Sequence, residues 1–103
     1  MKRKKIKKIF KKSIEVYGKE AQSRQAMEEC AELIQAINKC LRYPNKEECK
    51  NNLIEEICDV EIMLFQLKEM FGITNDAVEI YKLLKAKREK ERLEKLNDST
   101  RDV

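Results

Sequence analysis

Apolar residues recur at steps of three and four along most of the chain. Between Lys4 and Tyr17 they fall at Ile6, Ile9, Phe10, Ile14 and Tyr17, which is one face of a helix whose other face is lysine. Gly18 ends that helix. Ser23 reads as the N-cap of a second, with Met27, Cys30, Ile34, Ile37 and Leu41 as its stripe up to Arg42, before Tyr43-Pro44. Residues 43–52 are polar and rich in turn formers, so they read as the main loop, with room for one helical turn. From Leu53 the apolar positions occupy two faces. Leu53, Ile57, Val60, Leu64, Leu67 and Phe71 share one, and Ile54, Cys58 and Phe65 lie to its side, which predicts a central third helix contacted from two directions. Gly72 closes it. Thr74 to Asp76 restart the chain into a fourth helix through Ala77, Ile80, Tyr81 and Leu84, almost wholly charged after Lys85, with a frayed tail over 97–103.

The expected fold class is therefore all-α, a four-helix protomer in one domain spanning residues 1–103. With only Gly18, Gly72 and Pro44 as breakers, the chain has no material for repeated tight turns or a Gly-rich phosphate loop. Six aromatic residues make a thin core for a free-standing protomer, so a helical bundle completed by a homo-oligomer is expected. The complete lack of histidine excludes Ser-His-Asp and Cys-His machinery, imidazole shuttles and most zinc chemistry. Cys30, Cys40, Cys49 and Cys58 contain no Cys-x-x-Cys pair, and they read as reduced, packed thiols of a cytoplasmic protein. No apolar stretch reaches the roughly 18 residues of a span, and no membrane partner is expected.

Charge is distributed unevenly. Residues 1–12 form a basic arm with eight Lys or Arg and no acid, leaving fifteen of the 23 bases against all nineteen acids in the remainder. Within that acidic remainder, 25–38 hold Glu28, Glu29 and Glu32 without one base, and 51–67 hold Glu55, Glu56, Asp59 and Glu61, again without one. Like charges three or four residues apart weaken a helix by about 0.2–0.5 kcal/mol per pair, so both clusters call for an external cation. Glu56 projects within about 20° of Met63 and Leu67 on a helical wheel, inside an apolar stripe where an unpaired carboxylate is costly. If helices two and three pack antiparallel, Glu29 and Glu32 face Glu56 and Asp59. Four oxygen ligands without nitrogen or sulfur suit Mg²⁺, with Mn²⁺ as a substitute. Solvated acids, or salt bridges to lysines of another helix, are the plain alternative, and Glu28, Glu55 and Glu61 fit it.

These segments resemble a known family. Glu29-x-x-Glu32 and Glu56-x-x-Asp59, with 23 residues between Glu32 and Glu56, are similar to the signature of the MazG-like all-α nucleoside triphosphate pyrophosphohydrolases. The likeness spans roughly Tyr17 to Leu84 and takes in the Gly18 to Gln22 run, Arg42, and the run from Asp59 to Met63. It implies dimers or tetramers that hydrolyse a nucleoside triphosphate (NTP or dNTP) between the α and β phosphates, giving monophosphate and pyrophosphate. By the same resemblance Glu29, Glu32, Glu56 and Asp59 are the Mg²⁺ ligands, Glu28 is a candidate acid or base, and Gln22, Lys82 and Lys85 are candidate substrate contacts. A divalent ion supplies charge neutralisation and an activated water, so such a reaction needs no histidine. The basic arm and the segment Lys85 to Lys95 depart from the family pattern.

The rival reading is a basic helical module, nucleic-acid-binding or regulatory and without catalysis, built on the arm and the end of helix four. Against it stand an acidic body and the lack of helix-turn-helix spacing, so a nucleic-acid partner is not expected.

Overall fold

The computed structural model describes the backbone of residues 1–101 and the side chains of residues 1–98. Four helices make up the fold, α1 (Arg3–Tyr17), α2 (Lys19–Arg42), α3 (Glu47–Phe71) and α4 (Asn75–Arg101), and there is no strand among the described residues. Within the single domain expected over 1–103, the chain divides after Gly72 into two compact units, α1–α3 and the segment containing α4.

Gly18 ends one helix and starts the next in a single residue. Its φ of 94° and ψ of 158° belong to neither helix, a backbone state that L side chains rarely adopt. Its N–H donates to the Ile14 carbonyl (2.9 Å), and its own carbonyl accepts from the Gln22 N–H (3.1 Å). With the break confined to one residue, α2 begins at Lys19, ahead of the expected cap. Ser23 is inside the helix, its hydroxyl buried without a hydrogen-bond partner among the described residues.

The expected loop over 43–52 is also much shorter than predicted. Tyr43 to Lys46 form the turn, closed by the Lys46 N–H on the Tyr43 carbonyl (3.2 Å), and α3 starts at Glu47. Glu47 and Glu48 in its first turn favour the positive end of the helix dipole, which outweighs the polar composition read as loop. At the other end Gly72 takes the left-handed conformation (φ 64°, ψ 36°) and donates to the Lys68 carbonyl, the C-terminal stop expected of it. Thr74 then caps α4, its Oγ1 accepting the Ala77 N–H at 3.1 Å. The helix runs through Arg101, across most of the segment read as a frayed tail, and residues 102 and 103 lie outside the described residues. Pairs such as Lys82–Glu79 and Arg92–Glu89, both three residues apart, support this mostly charged helix along its own surface.

The core of the first unit is an antiparallel hairpin of α2 and α3. Positions 22, 26, 29, 33, 36 and 40 of α2, stepping by four and three, are buried or half-buried, as are 49, 56, 59, 63, 66 and 70 of α3. Alternating steps of that kind are the signature of a helix pair meeting along one seam. Ala26 and Ala36 are buried small residues that let the helices approach, and Met63 fills the space between them. Gln22 faces Gln66, and the Cys40 thiol donates to the Cys49 carbonyl at 3.2 Å, which sets the register at both ends. All four cysteines are free thiols, but only Cys40 and Cys49 are half-buried; Cys30 and Cys58, expected to pack, are exposed because they lie off the seam.

This seam is not the stripe the apolar pattern picks out. Met27, Ile34, Ile37 and Leu41 sit one residue, or 100°, round α2 from it and are exposed, Ile34 at 68% and Leu41 at 77%. On α3, Ile57, Leu64 and Phe71 are likewise exposed. Each helix thus carries two faces, a narrow seam within the unit in which small and polar residues outnumber Leu33, Met63 and Met70, and a broad apolar face that the unit leaves open. α1 lies against the hairpin through its second half, where Phe10, Ser13 and Ile14 are half-buried and Lys11 reaches Glu69 (3.8 Å).

Candidate metal centre

The middle of the seam is acidic. Steps of three place Glu29 and Glu32 on one edge of α2, and Glu56 and Asp59 on the facing edge of α3. One carboxylate oxygen from each of Glu29, Glu32 and Glu56 lies within 4.8 Å of the other two. Asp59 meets Glu29 directly. Burial, then the negative charge of Glu29, then a hydrogen bond to it hold the Asp59 carboxyl above its ordinary range. The helices bring these groups together because the hairpin register that pairs Gln22 with Gln66 also sets Glu29 opposite Asp59 one heptad further along.

Two atoms in this cluster lack partners. Glu29 Oε1 accepts from Gln25 Nε2 (2.8 Å), one helical turn earlier, but its Oε2 is buried and meets no donor. Glu56 Oε2 is also buried and unpartnered. None of the four acids forms an ion pair with a Lys or Arg among the described residues. Buried polar atoms are ordinarily satisfied, and two orphaned carboxylate oxygens, one on each helix, in residues whose carboxylates cluster within 4.8 Å, have the donor chemistry of a hard divalent cation. The residues present therefore fit Mg²⁺ or Mn²⁺.

The remaining site residues fall elsewhere. Glu28 is exposed beside Glu29 and outside the three-oxygen cluster. Lys82 and Lys85 are exposed on α4, in the second unit, and Lys82 pairs with Glu79 (3.2 Å). Gln22 is buried. Its Nε2 donates to Gln66 Oε1 at 2.9 Å, so the structure gives this side chain a partner inside the hairpin. Gln66, absent from the sequence reading, is 1% exposed and passes the chain of bonds on to the Phe10 carbonyl of α1 (3.0 Å). Its signal was present as a lone amide seven residues after Asp59, in an otherwise apolar run.

Comparison of the chain with protein-family models, with curated proteins and with solved structures returns no match.

Proposed function

We propose that the α2–α3 hairpin binds Mg²⁺ through Glu29, Glu32, Glu56 and Asp59 and hydrolyses a nucleoside triphosphate between its α and β phosphates. The observation that carries this reading is the pair of buried, unpartnered oxygens on Glu29 and Glu56, with Glu32 completing a three-carboxylate cluster across two helices. A bound divalent ion supplies charge neutralisation for the triphosphate and activates the attacking water.

The chain's own residues do the rest. Gln25 holds one oxygen of Glu29 and leaves the other buried and free to bind a cation. Asp59, protonated more readily than an ordinary aspartate, would have to release that proton to hold a divalent ion. Glu28, the candidate acid or base of the resemblance, is exposed beside Glu29 and is assigned to accept the proton of the attacking water.

The same reading makes the protein a homo-oligomer. Met27, Ile34, Ile37 and Leu41 of α2 and Ile57, Leu64 and Phe71 of α3 form an uncovered apolar face, and such faces are sites of association. Incubation of a panel of NTPs and dNTPs with Mg²⁺, followed by product analysis, tests the activity. Monophosphate and pyrophosphate are expected, and intact substrate throughout the panel contradicts it.

A further inference from the structure

The basic arm has no part in that reading, yet it is an ordered helix with two distinct sides. Around α1, Ile6, Ile9, Phe10, Ile14 and Tyr17 fall on one side and Lys4, Lys5, Lys8, Lys11 and Lys12 on the other, with Lys7 at the border about 20° from Ile14 and Arg3 between Phe10 and Ile14. Only the second half of that apolar strip is used within the unit. Phe10 and Ile14 are half-buried, Lys11 pairs with Glu69 and the Phe10 carbonyl accepts from Gln66. Every residue from 1 to 9 is exposed, including Ile6 at 39% and Ile9 at 45%.

The cations are equally unengaged. Lys11 and Lys12 have acidic partners, Glu69 and Glu15, but Lys2, Arg3, Lys4, Lys5, Lys7 and Lys8 pair with no acid among the described residues. Past Ile9 the second half of α1 borders an open hollow of about 290 Å³ lined by Ile9, Lys12, Ser13, Val16 and Tyr17.

We infer that the first half of α1 is an interfacial helix that lays this strip onto an anionic lipid surface. Charge complementarity selects a polyanionic partner, and the exposed isoleucines choose among polyanions. Phosphates of a nucleic acid would engage the lysines and leave Ile6 and Ile9 in water, whereas a bilayer boundary takes the apolar strip among its acyl chains and the lysines among its headgroups. Seven of the eight cations are lysines, suited to a diffuse field of headgroups and lacking the paired donors with which arginine reads a base edge. No helix of the described residues is long and apolar enough to cross a membrane. A helix lying on the surface does not need to be.

The test is co-sedimentation of the full chain with vesicles of phosphatidylcholine alone and of phosphatidylcholine with one third phosphatidylserine, with duplex DNA as a parallel ligand. Binding to the anionic vesicles only, weakened by salt, is expected. Replacing Lys4, Lys7 and Lys8 together by alanine should weaken it roughly a hundredfold, at about fivefold for each lysine. Ile6→Ser with Ile9→Ser should weaken it at least tenfold with all eight cations kept. Circular dichroism of both variants verifies that the fold is retained, since these side chains are exposed. Three results overturn the proposal. They are no sedimentation with anionic vesicles, vesicle binding indifferent to the two isoleucine substitutions, and tighter binding to DNA than to the vesicles.

Discussion

Removing the charge of Glu56 should stabilise the protein without metal and abolish its response to metal. Its carboxylate lies within 4.8 Å of those of Glu29 and Glu32. Two like charges at that distance repel by about 1 kcal/mol in water and about 3.5 kcal/mol at an effective dielectric of 20. Glu32 is exposed, so its share belongs near the lower figure, while half-buried Glu29 lies between the two. Glu56→Gln keeps the volume and removes both repulsions. A gain of about 2 kcal/mol follows, or roughly 8–16 °C in Tm for a domain of this size. Mg²⁺ reverses the order. Ligand at a hundredfold excess over its Kd adds about 2.7 kcal/mol to the native state, and only the wild-type chain should collect it. Thermal melts of both proteins with EDTA and with Mg²⁺ therefore give four midpoints with a fixed ranking. A destabilised Glu56→Gln protein in EDTA, or equal Mg²⁺ shifts in the two proteins, would show that Glu56 is neither repelled by its neighbours nor a metal ligand.

Asp59 sets a pH dependence opposite in sign to ordinary acid denaturation. Its folded pKa is raised by burial first and Glu29 second, so the folded chain holds a proton that the unfolded chain has lost. The contribution is full below the unfolded pKa and disappears as pH rises through the folded one, so urea midpoints of the metal-free protein should climb on acidification through that window, with the slope missing in Asp59→Asn. For the buried amides, Gln66→Leu alone should cost about 1–3 kcal/mol by stranding the Gln22 amide, and Gln22→Leu with Gln66→Leu should recover most of it. Additive losses in a double-mutant cycle would contradict that coupling. Ile34→Glu, at a position 68% exposed in the protomer, should leave helicity intact and reduce the mass measured by light scattering, and an unchanged oligomer would remove this face from the interface.

The helices were readable because their breakers are few and decisive. Gly18 and Gly72 end α1 and α3 where expected, and Thr74 restarts the chain. Cap positions failed where backbone geometry replaced a side-chain cap. Gly18 serves two helices in one residue, so Ser23 had no cap to supply, and Glu47 and Glu48 start a helix within a segment whose composition reads as loop. The grouping of Glu29, Glu32 and Glu56 was visible in the absence of nearby bases and in the placement of Glu56. The packing seam was not visible, because the most apolar stripe of α2 lies a residue away from it. Periodicity identifies which face avoids water. It does not say whether that face is covered by the same chain or by another. The burial of Gln22 escaped for the same reason, since its partner lies 44 residues away and only the hairpin register joins them.

Hydrolysis in ¹⁸O-water, with Mg²⁺ and a nucleoside triphosphate, reports which phosphorus the water attacks. If the four acids direct water to the α phosphorus, the label appears in the monophosphate, pyrophosphate is unlabelled, and both Glu32→Ala and Asp59→Ala abolish turnover. Label in pyrophosphate or orthophosphate, or full activity in Asp59→Ala, would contradict the assignment of this hairpin as a pyrophosphohydrolase centre.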